Sequence, residues 1–511
     1  MYEHSSITRS EAMNKHRINS ISLSRFQEER GLNQRSVIHK VLTSLATVVT
    51  LAGCAMGPDY QRPKIDLPLA YPSAQTEMTS AEPVTLSAKW WTLYNDAKLN
   101  ELVETTLTNN ADIHKAIAQI DEAEAILAAT SANIFPELDL GATRTKSRSS
   151  ILSAQPLPPG TPRVSVSNKV TISTAFELDF WGKLRRASEA ARADILASRD
   201  ARGVTALTLA SATTQAYFSL RALDAQIEVT QEILTARVGS LDVVKNRARG
   251  GLASSLEVQQ AEGARAEGAV QLRELQRQRA LLEHQLGSLT GKLSLTIESG
   301  GLTALPTTPS LPPVGLPSTL LERRPDVLQA EQSLIAANAQ IGAAKAAQFP
   351  SFTLTGSYGG QSKDTSNLFE DGARIWSLGP SVSLPIFDGG KLSARKRQAQ
   401  ARQRQSLASY QKTVETAFRE VADALSNTQL SAASVNDMQA KADAGRESLR
   451  LSRLRYEAGY SGYLEVLDAQ RSANAAELAL VQNRLAQLIY SVDLMKALGG
   501  GWSPVDTAAA K

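Results

Sequence analysis

Two copies of one unit make up most of this sequence, and that repeat limits the possible folds more than any other feature. Lys183-Leu184 recurs 208 positions later as Lys391-Leu392, whereas Phe135-Pro136 recurs 214 positions later as Phe349-Pro350. The spacing changes once, which indicates two copies of one unit, with six extra residues in the first copy between these motifs. Each copy has the pattern of a helix, a strand hairpin and two long helices. We therefore expect a repeat architecture rather than a set of independent globular domains.

Composition and charge give no indication of nucleic-acid binding. Aromatic residues make up only 5% of the chain, and the formal net charge is +4. Seven Lys or Arg and four Asp or Glu precede Cys54, so the rest of the chain carries only +1. The sequence has no clustered basic stripe with interleaved aromatic residues, so we expect no nucleic-acid partner.

The single cysteine, Cys54, lies in a segment typical of a secreted lipoprotein. Leu51-Ala52-Gly53-Cys54 follows the apolar run Val41–Thr50 and cations that begin at Arg35. A basic segment, a short apolar segment and small residues before a cleavage point form a signal peptide. We predict that residues 1–53 are a leader and that a lipid is attached to Cys54. The 34 residues before Arg35 leave two explanations open, a start codon assigned too far upstream and a genuine extended leader.

Four segments alternate between apolar and polar residues, as strands with two different faces do. Val170–Phe180 and Trp376–Ile386 show this period-two pattern most clearly, with Glu137–Arg148 and Ser351–Gly360 as their predicted partners. Such strands have about the length that crosses a bilayer at a tilt, roughly 9–11 residues. The alternative is a soluble hairpin that packs against the long helices.

An unusually long helix follows each hairpin. Lys183–Arg249 contains no proline, and at ~1.5 Å per residue it would extend roughly 100 Å. Lys391–Glu457 repeats this pattern, and in each copy a second helix returns to Gly291 or Gly499. Apolar positions are sparse and often alanine, as in the narrow seam of a coiled coil. A lone helical hairpin of this kind buries little surface, so we expect it to pack on other copies.

These elements predict an α+β membrane protein whose barrel is shared among chains. Four strands cannot close a bacterial barrel, which has about eight strands or more, and lipid does not tolerate an open sheet edge. We expect a short β-barrel that continues into a tunnel of coiled-coil helices. The predicted β-hairpins are 137–180 and 351–386, and the predicted helical hairpins are 183–290 and 391–498. The predicted divisions are a leader (1–53), a lipidated tether (54–89), repeat 1 (90–298), a linker (299–317), repeat 2 (318–499) and a C-terminal tail (500–511).

Three motifs resemble signatures of the outer-membrane factor family, and the lipoprotein, NodT-like branch of the TolC-type channels is the nearest match. They are Cys54-Ala55-Met56-Gly57-Pro58-Asp59-Tyr60-Gln61-Arg62-Pro63, Leu321-Glu322-Arg323-Arg324-Pro325-Asp326 and Leu467-Asp468-Ala469-Gln470. The resemblance implies a homotrimer with a twelve-stranded β-barrel in the outer membrane of a Gram-negative bacterium and an α-helical barrel through the periplasm. It also implies two partners, a periplasmic adaptor protein and an inner-membrane pump of the resistance-nodulation-division type. The implied cargo is drugs, metals or other small toxic molecules.

The resemblance places a gate at the periplasmic turns of the long helices. Glu465 and Asp468 lie three residues apart, hence on one helix face, where the family carries acidic rings at the constriction. Rings of carboxylates around a narrow axis favour cations; the alternative is that both are ordinary solvated charges. The first copy offers only Glu257 at the corresponding place, and Tyr456 is a candidate partner for holding the gate shut.

Both helix-to-helix turns are candidate contacts for the adaptor. Their alternative role is structural, with glycine as the left-handed cap of the preceding helix, and the two roles are compatible. The candidate residues are Gly250, Gly251, Leu252, Gly459, Tyr460 and Ser461.

No enzymatic site is predicted. His114 and His284 have no Cys, His or acidic partners at metal-ligand spacing, and no phosphate-binding loop or nucleophile motif is present. We expect no cofactor apart from the covalent lipid on Cys54.

Three functions remain open. The first is an outer-membrane efflux channel, and the second is the same channel serving an ATP-driven type I secretion exporter. The third is a periplasmic coiled-coil scaffold that forms no pore. The four alternating segments favour a channel over a scaffold, and the lipoprotein motif favours efflux.

Overall fold

The computed structural model describes residues 55–68, 71, 87–152, 158, 160–301, 306–309 and 320–502. The first copy contains a 3-10 helix (Trp90–Tyr94), α1 (Ala97–Asn109), α2 (Ala111–Ala132), β1 (Glu137–Arg148), β2 (Val164–Leu178), α3 (Lys183–Arg249) and α4 (Ser255–Leu289). The second copy contains α5 (Leu320–Arg323), α6 (Pro325–Ala346), β3 (Ser351–Ser362), β4 (Arg374–Ser383), α7 (Lys391–Ala433), α8 (Val435–Glu457) and α9 (Tyr463–Ala497). The predicted leader and Cys54, about half of the tether, much of the linker and residues 503–511 lie outside the described residues.

The chain forms two compact units, and each takes segments from both copies of the repeat. The sheet unit comprises the described residues within 55–58, Thr130–Ser188 and Ala339–Gln398. The helical unit comprises the described residues within Asp59–Ala129, Glu189–Asn338 and 399–502.

The sheet unit contains one antiparallel sheet in the order β1-β2-β3-β4. Leu140, Ile172, Tyr358 and Trp376 lie opposite one another across all four strands, and each is more than half exposed. One residue along each strand, the row is polar and consists of Asp139, Ser173, Ser357 and Ser377. The two faces therefore differ as the alternation predicts. Within the described part of the chain, β1 and β4 are edges without a further strand partner.

The four predicted strands are present, and three of them have shifted ends. β1 has the predicted bounds, whereas β2 begins six residues before Val170 and ends at Leu178. β4 ends at Ser383, so Leu384–Ile386 lies beyond the strand. Pro385 explains the early end, because it has no backbone N–H for a further ladder hydrogen bond.

The long helix of the second copy is interrupted, so the prediction of one helix over Lys391–Glu457 is wrong. α7 and α8 are separated at Ser434, whose Oγ donates to the carbonyl of Ser431 at 2.9 Å. Gln487 Nε2 donates to the same carbonyl at 3.0 Å, and Asn483 Nδ2 donates to Ser434 Oγ at 2.9 Å. Side chains thus replace a backbone bond of the helix, which is an established cause of a break. The first-copy helix α3 has the predicted bounds and no such break.

The helical unit has an aromatic core near the start of the first copy. Trp90, Tyr94, Tyr217 and Phe218 are at most 5% exposed and form one cluster with aliphatic residues of α1, α4 and α9. Tyr94 and Phe218 pack edge to face at 4.9 Å. Aromatic pairs at this distance add to the stabilisation from buried area. The core is therefore richer than the alanine seam that the helix sequences predict.

No helix in the described ranges combines the length and apolar character needed to cross a membrane.

Candidate functional site

The turn between α3 and α4 has the geometry of a glycine-capped helix end. Gly251 has φ +76°, and the N–H of Leu252 donates to the carbonyl of Arg247 at 2.8 Å. This is the 6→1 bond of a Schellman motif, which requires a left-handed residue. Ser254 then caps α4 by accepting from the N–H of Glu257. The side chain of Leu252 is 72% exposed.

The turn between α8 and α9 repeats this geometry. Gly459 has φ +82°, and the N–H of Tyr460 donates to the carbonyl of Arg455 at 2.8 Å. Tyr460 occupies the position of Leu252 and is 81% exposed. Ser461 is half-buried, and its Oγ has no hydrogen-bond partner among the described residues. Both turns thus present one exposed side chain of substantial apolar area.

The two helical hairpins are joined close to these turns by Tyr456. Its hydroxyl donates to Glu257 Oε2 at 3.2 Å, which links α8 to α4. The guanidinium of Arg247 lies 4.8 Å from the centre of the Tyr456 ring, and Arg247 Nη1 donates to the carbonyl of Glu457 at 3.3 Å. Burial, followed by the charge of Glu257, raises the pKa of Tyr456, so the hydroxyl stays a donor at neutral pH. We call Arg247, Glu257 and Tyr456 the latch.

An apolar cluster supports the latch. Tyr456 and Tyr463 pack with ring centres 5.4 Å apart, and both are less than a tenth exposed. The other buried members of this cluster are Leu241, Val244, Ala261, Ala264, Val466 and Leu467. Such packing fixes the ring of Tyr456 and makes its hydroxyl direction well defined.

The two acidic candidates both lie on the exposed surface of α9. Glu465 Oε1 is 3.0 Å from Arg455 Nε, and both side chains are partly exposed. Asp468 is exposed and makes no ion pair among the described residues. Arg455 therefore partly neutralises one of the two carboxylates. The structure brings together two of the predicted gate residues, Glu257 and Tyr456. It adds Arg247 and Arg455, which the sequence analysis missed.

Arg247 and Arg455 carried a weak signal in the sequence. Each belongs to the last turn of its helix, where cations are common because they complement the helix dipole. Only the packing of α3 against α8 shows that Arg247 lies over an aromatic ring.

The motifs that carried the family resemblance mainly hold the helical unit together. Arg62 binds both carboxylate oxygens of Glu331, at 2.7 and 2.8 Å, and Tyr60 donates to the same carboxylate at 2.9 Å. Arg324 is 7% exposed and pairs with Asp326 at 2.6 Å and Glu420 at 2.7 Å. These bidentate and buried pairs fix the segment after Pro58 and the start of α6.

The described residues contain no group of three or more His, Cys, Asp or Glu side chains able to hold a metal ion. Cys54, the predicted lipid site, lies outside them.

The chain matches the family model "outer membrane efflux protein" over residues 102–292 and 316–500. It is 35% identical to outer membrane protein OprJ of Pseudomonas aeruginosa over 477 residues, which cover 90% of this chain and 96% of OprJ. It is 33% identical to the cation efflux system protein CusC of Escherichia coli over 467 residues, which cover 90% and 98% of the two chains. The solved outer-membrane channel OprN superposes with a TM-score of 0.81 at 29% identity, over 88% of this chain and all of OprN. The chain therefore belongs to the outer membrane efflux protein family.

Proposed function

We propose that three copies of this protein form the outer-membrane channel of a tripartite efflux system, a passive conduit for small toxic molecules. As a family member, the protein is located in the outer membrane of a Gram-negative bacterium and extends into the periplasm. The observation that carries the proposal is the two-faced sheet with two free edges in a chain that matches outer-membrane channels over most of its length.

A closed barrel is the arrangement that satisfies the free edges. The backbone groups of β1 and β4 that point away from the sheet need partners in lipid, and a sheet of the next copy supplies them. Three four-stranded sheets make twelve strands, an even number in the range of bacterial barrels. The row Leu140, Ile172, Tyr358 and Trp376 then faces lipid, and the serine-rich row faces a wet lumen.

The latch and the acidic pair form the gate in this proposal. In a trimer, Glu465 and Asp468 contribute six carboxylates around the axis, which favour cations over anions. The latch ties α8 to α4 within each chain and so opposes the separation of the hairpins that opening requires. Arg455 reduces the negative charge of this carboxylate ring by pairing with Glu465.

The turns form the adaptor contact in this proposal. Most of the side chain is exposed at both Leu252 and Tyr460, each of which directly follows a glycine cap. Exposed aromatic and aliphatic side chains at a rigid turn are typical anchors of a protein interface. A periplasmic adaptor and an inner-membrane resistance-nodulation-division pump are the proposed partners.

Lipidation of Cys54 fits the position of the residues that follow it. The N–H of Met56 donates to the carbonyl of Trp181 at 3.0 Å, and Arg186 Nε donates to the carbonyl of Met56 at 3.3 Å. Gly342 has no room for a side chain, because an added Cβ would lie 2.5 Å from the carbonyl oxygen of Met56. The chain just after Cys54 is thus held within the sheet unit, where acyl chains would reach the same bilayer as the strands.

The relatives indicate the class of transported molecules only broadly. CusC is a cation efflux system protein by name, and the family as a whole is one of efflux proteins. Drugs, metals and other small toxic molecules are the proposed cargo, with selection performed by the pump. The family match favours efflux over a secretion exporter and over a scaffold without a pore.

Conductance in planar bilayers tests the proposal. Purified wild-type protein should migrate as a heat-modifiable trimer and give small, cation-selective openings. Glu465→Gln with Asp468→Asn should abolish the selectivity, whereas the matched control Asp443→Asn with Glu447→Gln, two exposed carboxylates of α8, should retain it. Equal cation selectivity of wild type, gate variant and control would contradict the acidic gate. A protein that never forms a membrane trimer would contradict the channel.

A further inference from the structure

The start of α7 combines exposed apolar residues with unpaired cations. Leu384, Ile386 and Phe387 follow β4 and are 51%, 95% and 91% exposed. The next cations are Lys391, Arg395, Lys396 and Arg397, which we call the basic patch. No Asp or Glu occurs from Gly389 to Val414, and none of the four cations makes an ion pair with a described residue. All seven residues belong to the sheet unit.

The corresponding segment of the first copy has the opposite character. Lys183 pairs with Glu177 at 2.6 Å, and Arg185 lies 3.5 Å from Asp179. Its aromatic residues are packed: Phe180 lies edge to face with Phe352, and Trp181 donates to the carbonyl of Pro350. The first copy therefore satisfies its cations and apolar side chains inside the sheet unit, and the second copy leaves them for an external partner.

Helix stability does not explain the basic patch. Cations near a helix N-terminus oppose the helix dipole and destabilise the helix slightly. The first turn of α7 contains no acidic residue, and Asp388, which precedes it, already accepts from the N–H groups of Gly390 and Leu392. The patch thus has four like charges within about two turns and no internal compensation.

We propose that the basic patch and the apolar residues Leu384, Ile386 and Phe387 form an interfacial site for anionic glycerophospholipid headgroups. The inference rests on the proposed function, since it requires that the strands cross the outer membrane and that the long helices lie in the periplasm. The strand ends that lead into helices then lie at the periplasmic leaflet. Exposed apolar side chains enter the acyl region there, and Lys and Arg a few residues further on meet the phosphates.

Lipid fits this surface better than a second protein does. Clusters of four or more Lys or Arg directly beside a membrane segment are typical of anionic-lipid binding. Apolar side chains at the water–lipid boundary anchor such segments. A protein partner would need an acidic surface with a matching apolar groove, and neither is required by headgroups that diffuse to the site.

The test compares two triple variants of the full-length protein. The patch variant is Lys391→Gln, Arg395→Gln and Arg397→Gln, which changes the three exposed cations of the patch. The control is Arg404→Gln, Lys412→Gln and Arg419→Gln on the same helix, starting seven residues or about 10 Å further from the membrane. Native mass spectrometry counts dioleoyl phosphatidylglycerol and dioleoyl phosphatidylcholine bound from an equimolar mixture.

Wild type and control should bind phosphatidylglycerol preferentially, and the patch variant should lose roughly tenfold or more of that preference. The charge-retaining variant Arg395→Lys with Arg397→Lys should bind like wild type. Equal preference in the patch variant and wild type would overturn the lipid site while leaving a conducting trimer intact. Dissociation of the trimer in the patch variant alone would overturn it in favour of a contact between copies. Absence of a membrane trimer in wild type would overturn the site and the proposed channel together.

Discussion

The middle of the long helices differs most between the two copies of the repeat. In α3, Asp224 is 1% exposed and binds Arg279 Nε at 2.6 Å and Arg221 Nη1 at 3.2 Å. It also accepts from Ser299 Oγ and the N–H of Gly300, so it fixes the start of the linker. The residues 208 positions later are neutral: Ala432 replaces Asp224, Gln429 replaces Arg221, and Gln487 replaces Arg279.

The neutral copy is also the copy whose helix breaks. Gln487 donates to the carbonyl of Ser431 at 3.0 Å, in the place where Arg279 of the first copy binds a carboxylate. An amide donor finds an acceptor in the backbone and thereby competes with the helix ladder, whereas an arginine with a buried aspartate leaves the ladder intact. The same repeated unit thus gives a continuous helix stabilised by ion pairs in the first copy. In the second copy it gives an interrupted helix stabilised by amide hydrogen bonds.

The copies also divide the exposed charges. The first copy pairs the cations that follow its hairpin, whereas the second leaves the basic patch exposed. At the turns, the second copy supplies Glu465 and Asp468, and the first supplies only Glu257, which serves the latch. The second copy therefore supplies the proposed acidic ring and the basic patch, whereas the turns of both copies supply the proposed adaptor contact.

The largest effect is expected at Asp224. Asp224→Asn should leave the nearly buried guanidinium of Arg221 without a counter-charge, and that of Arg279 with only Glu283 at 3.4 Å. Breaking such a buried arrangement costs about 3–5 kcal/mol of folding free energy. The control Asp242→Asn changes an exposed carboxylate of the same helix and should cost less than about 0.5 kcal/mol. Thermal unfolding followed by circular dichroism measures both. Equal midpoints for the two variants would show that the buried charge of Asp224 does not stabilise the first copy.

The next effect is a pH dependence at Asp200, which corresponds to Ala408 in the second copy. Burial, with a smaller effect of Glu331, raises the pKa of Asp200 to about 7. The folded state therefore keeps a proton that the unfolded chain releases near the ordinary value of 3.8. Its contribution is fully favourable below that value and is lost as the pH rises through about 7.

Asp200→Asn should remove the loss of folding stability that the Asp200 carboxyl causes as the pH rises. At pH 8 it should stabilise the protein by about 2 kcal/mol, a value reduced for solvent access, and at pH 4 it should have little effect. Unfolding midpoints between pH 4 and 8 give the comparison, with Asp242→Asn as control. Parallel pH profiles for wild type and Asp200→Asn would contradict the assignment.

Substitution of either glycine cap should lower the stability by a similar amount, because the two copies have the same turn geometry. Gly251→Ala and Gly459→Ala each force a left-handed alanine, at a cost of about 1–2 kcal/mol. Nothing lies within 4 Å of an added Cβ at either position, so sterics should not separate them. Gly263→Ala, inside α4, is the control and should be neutral or stabilising. Unfolding midpoints that differ strongly between the two caps would show that the turns are not equivalent.

The smallest effect is expected at the latch. Tyr456→Phe removes one hydrogen bond to Glu257 and should weaken closure by about 1 kcal/mol, which raises channel opening roughly fivefold. Tyr463→Phe changes the neighbouring ring and leaves the bond to Glu257 in place. Single-channel recording distinguishes the two. If channel opening increased in both variants, or in neither, the bond between Tyr456 and Glu257 would not hold the gate closed.

Much of this fold could be predicted from the sequence because its elements are long and strongly periodic. β1 and α3 have the predicted bounds, since a proline or a glycine lies close to their ends. The four strands follow from alternation alone, and pairing places Leu140, Ile172, Tyr358 and Trp376 in one row.

The candidate site was harder to predict from the sequence, because it depends on contacts between distant segments. Glu257 could be named from its place in the repeat, and Tyr456 from the family resemblance. Arg247 could not, because its position over the Tyr456 ring depends on how α3 packs against α8. The break at Ser434 has the same origin, since Gln487 reaches it from α9.

The sequence by itself determined the repeat, the helices and strands, the polar and apolar faces of the sheet, and the family. These features depend on the order of residues within one segment, which local sterics and the hydrophobic effect convert directly into structure. Tertiary structure alone decided which charges are paired: Asp224 with Arg279, Arg62 with Glu331, Arg455 with Glu465. An ion pair needs two groups within a few ångströms, and the register between helices that sets such distances is not written in either segment alone.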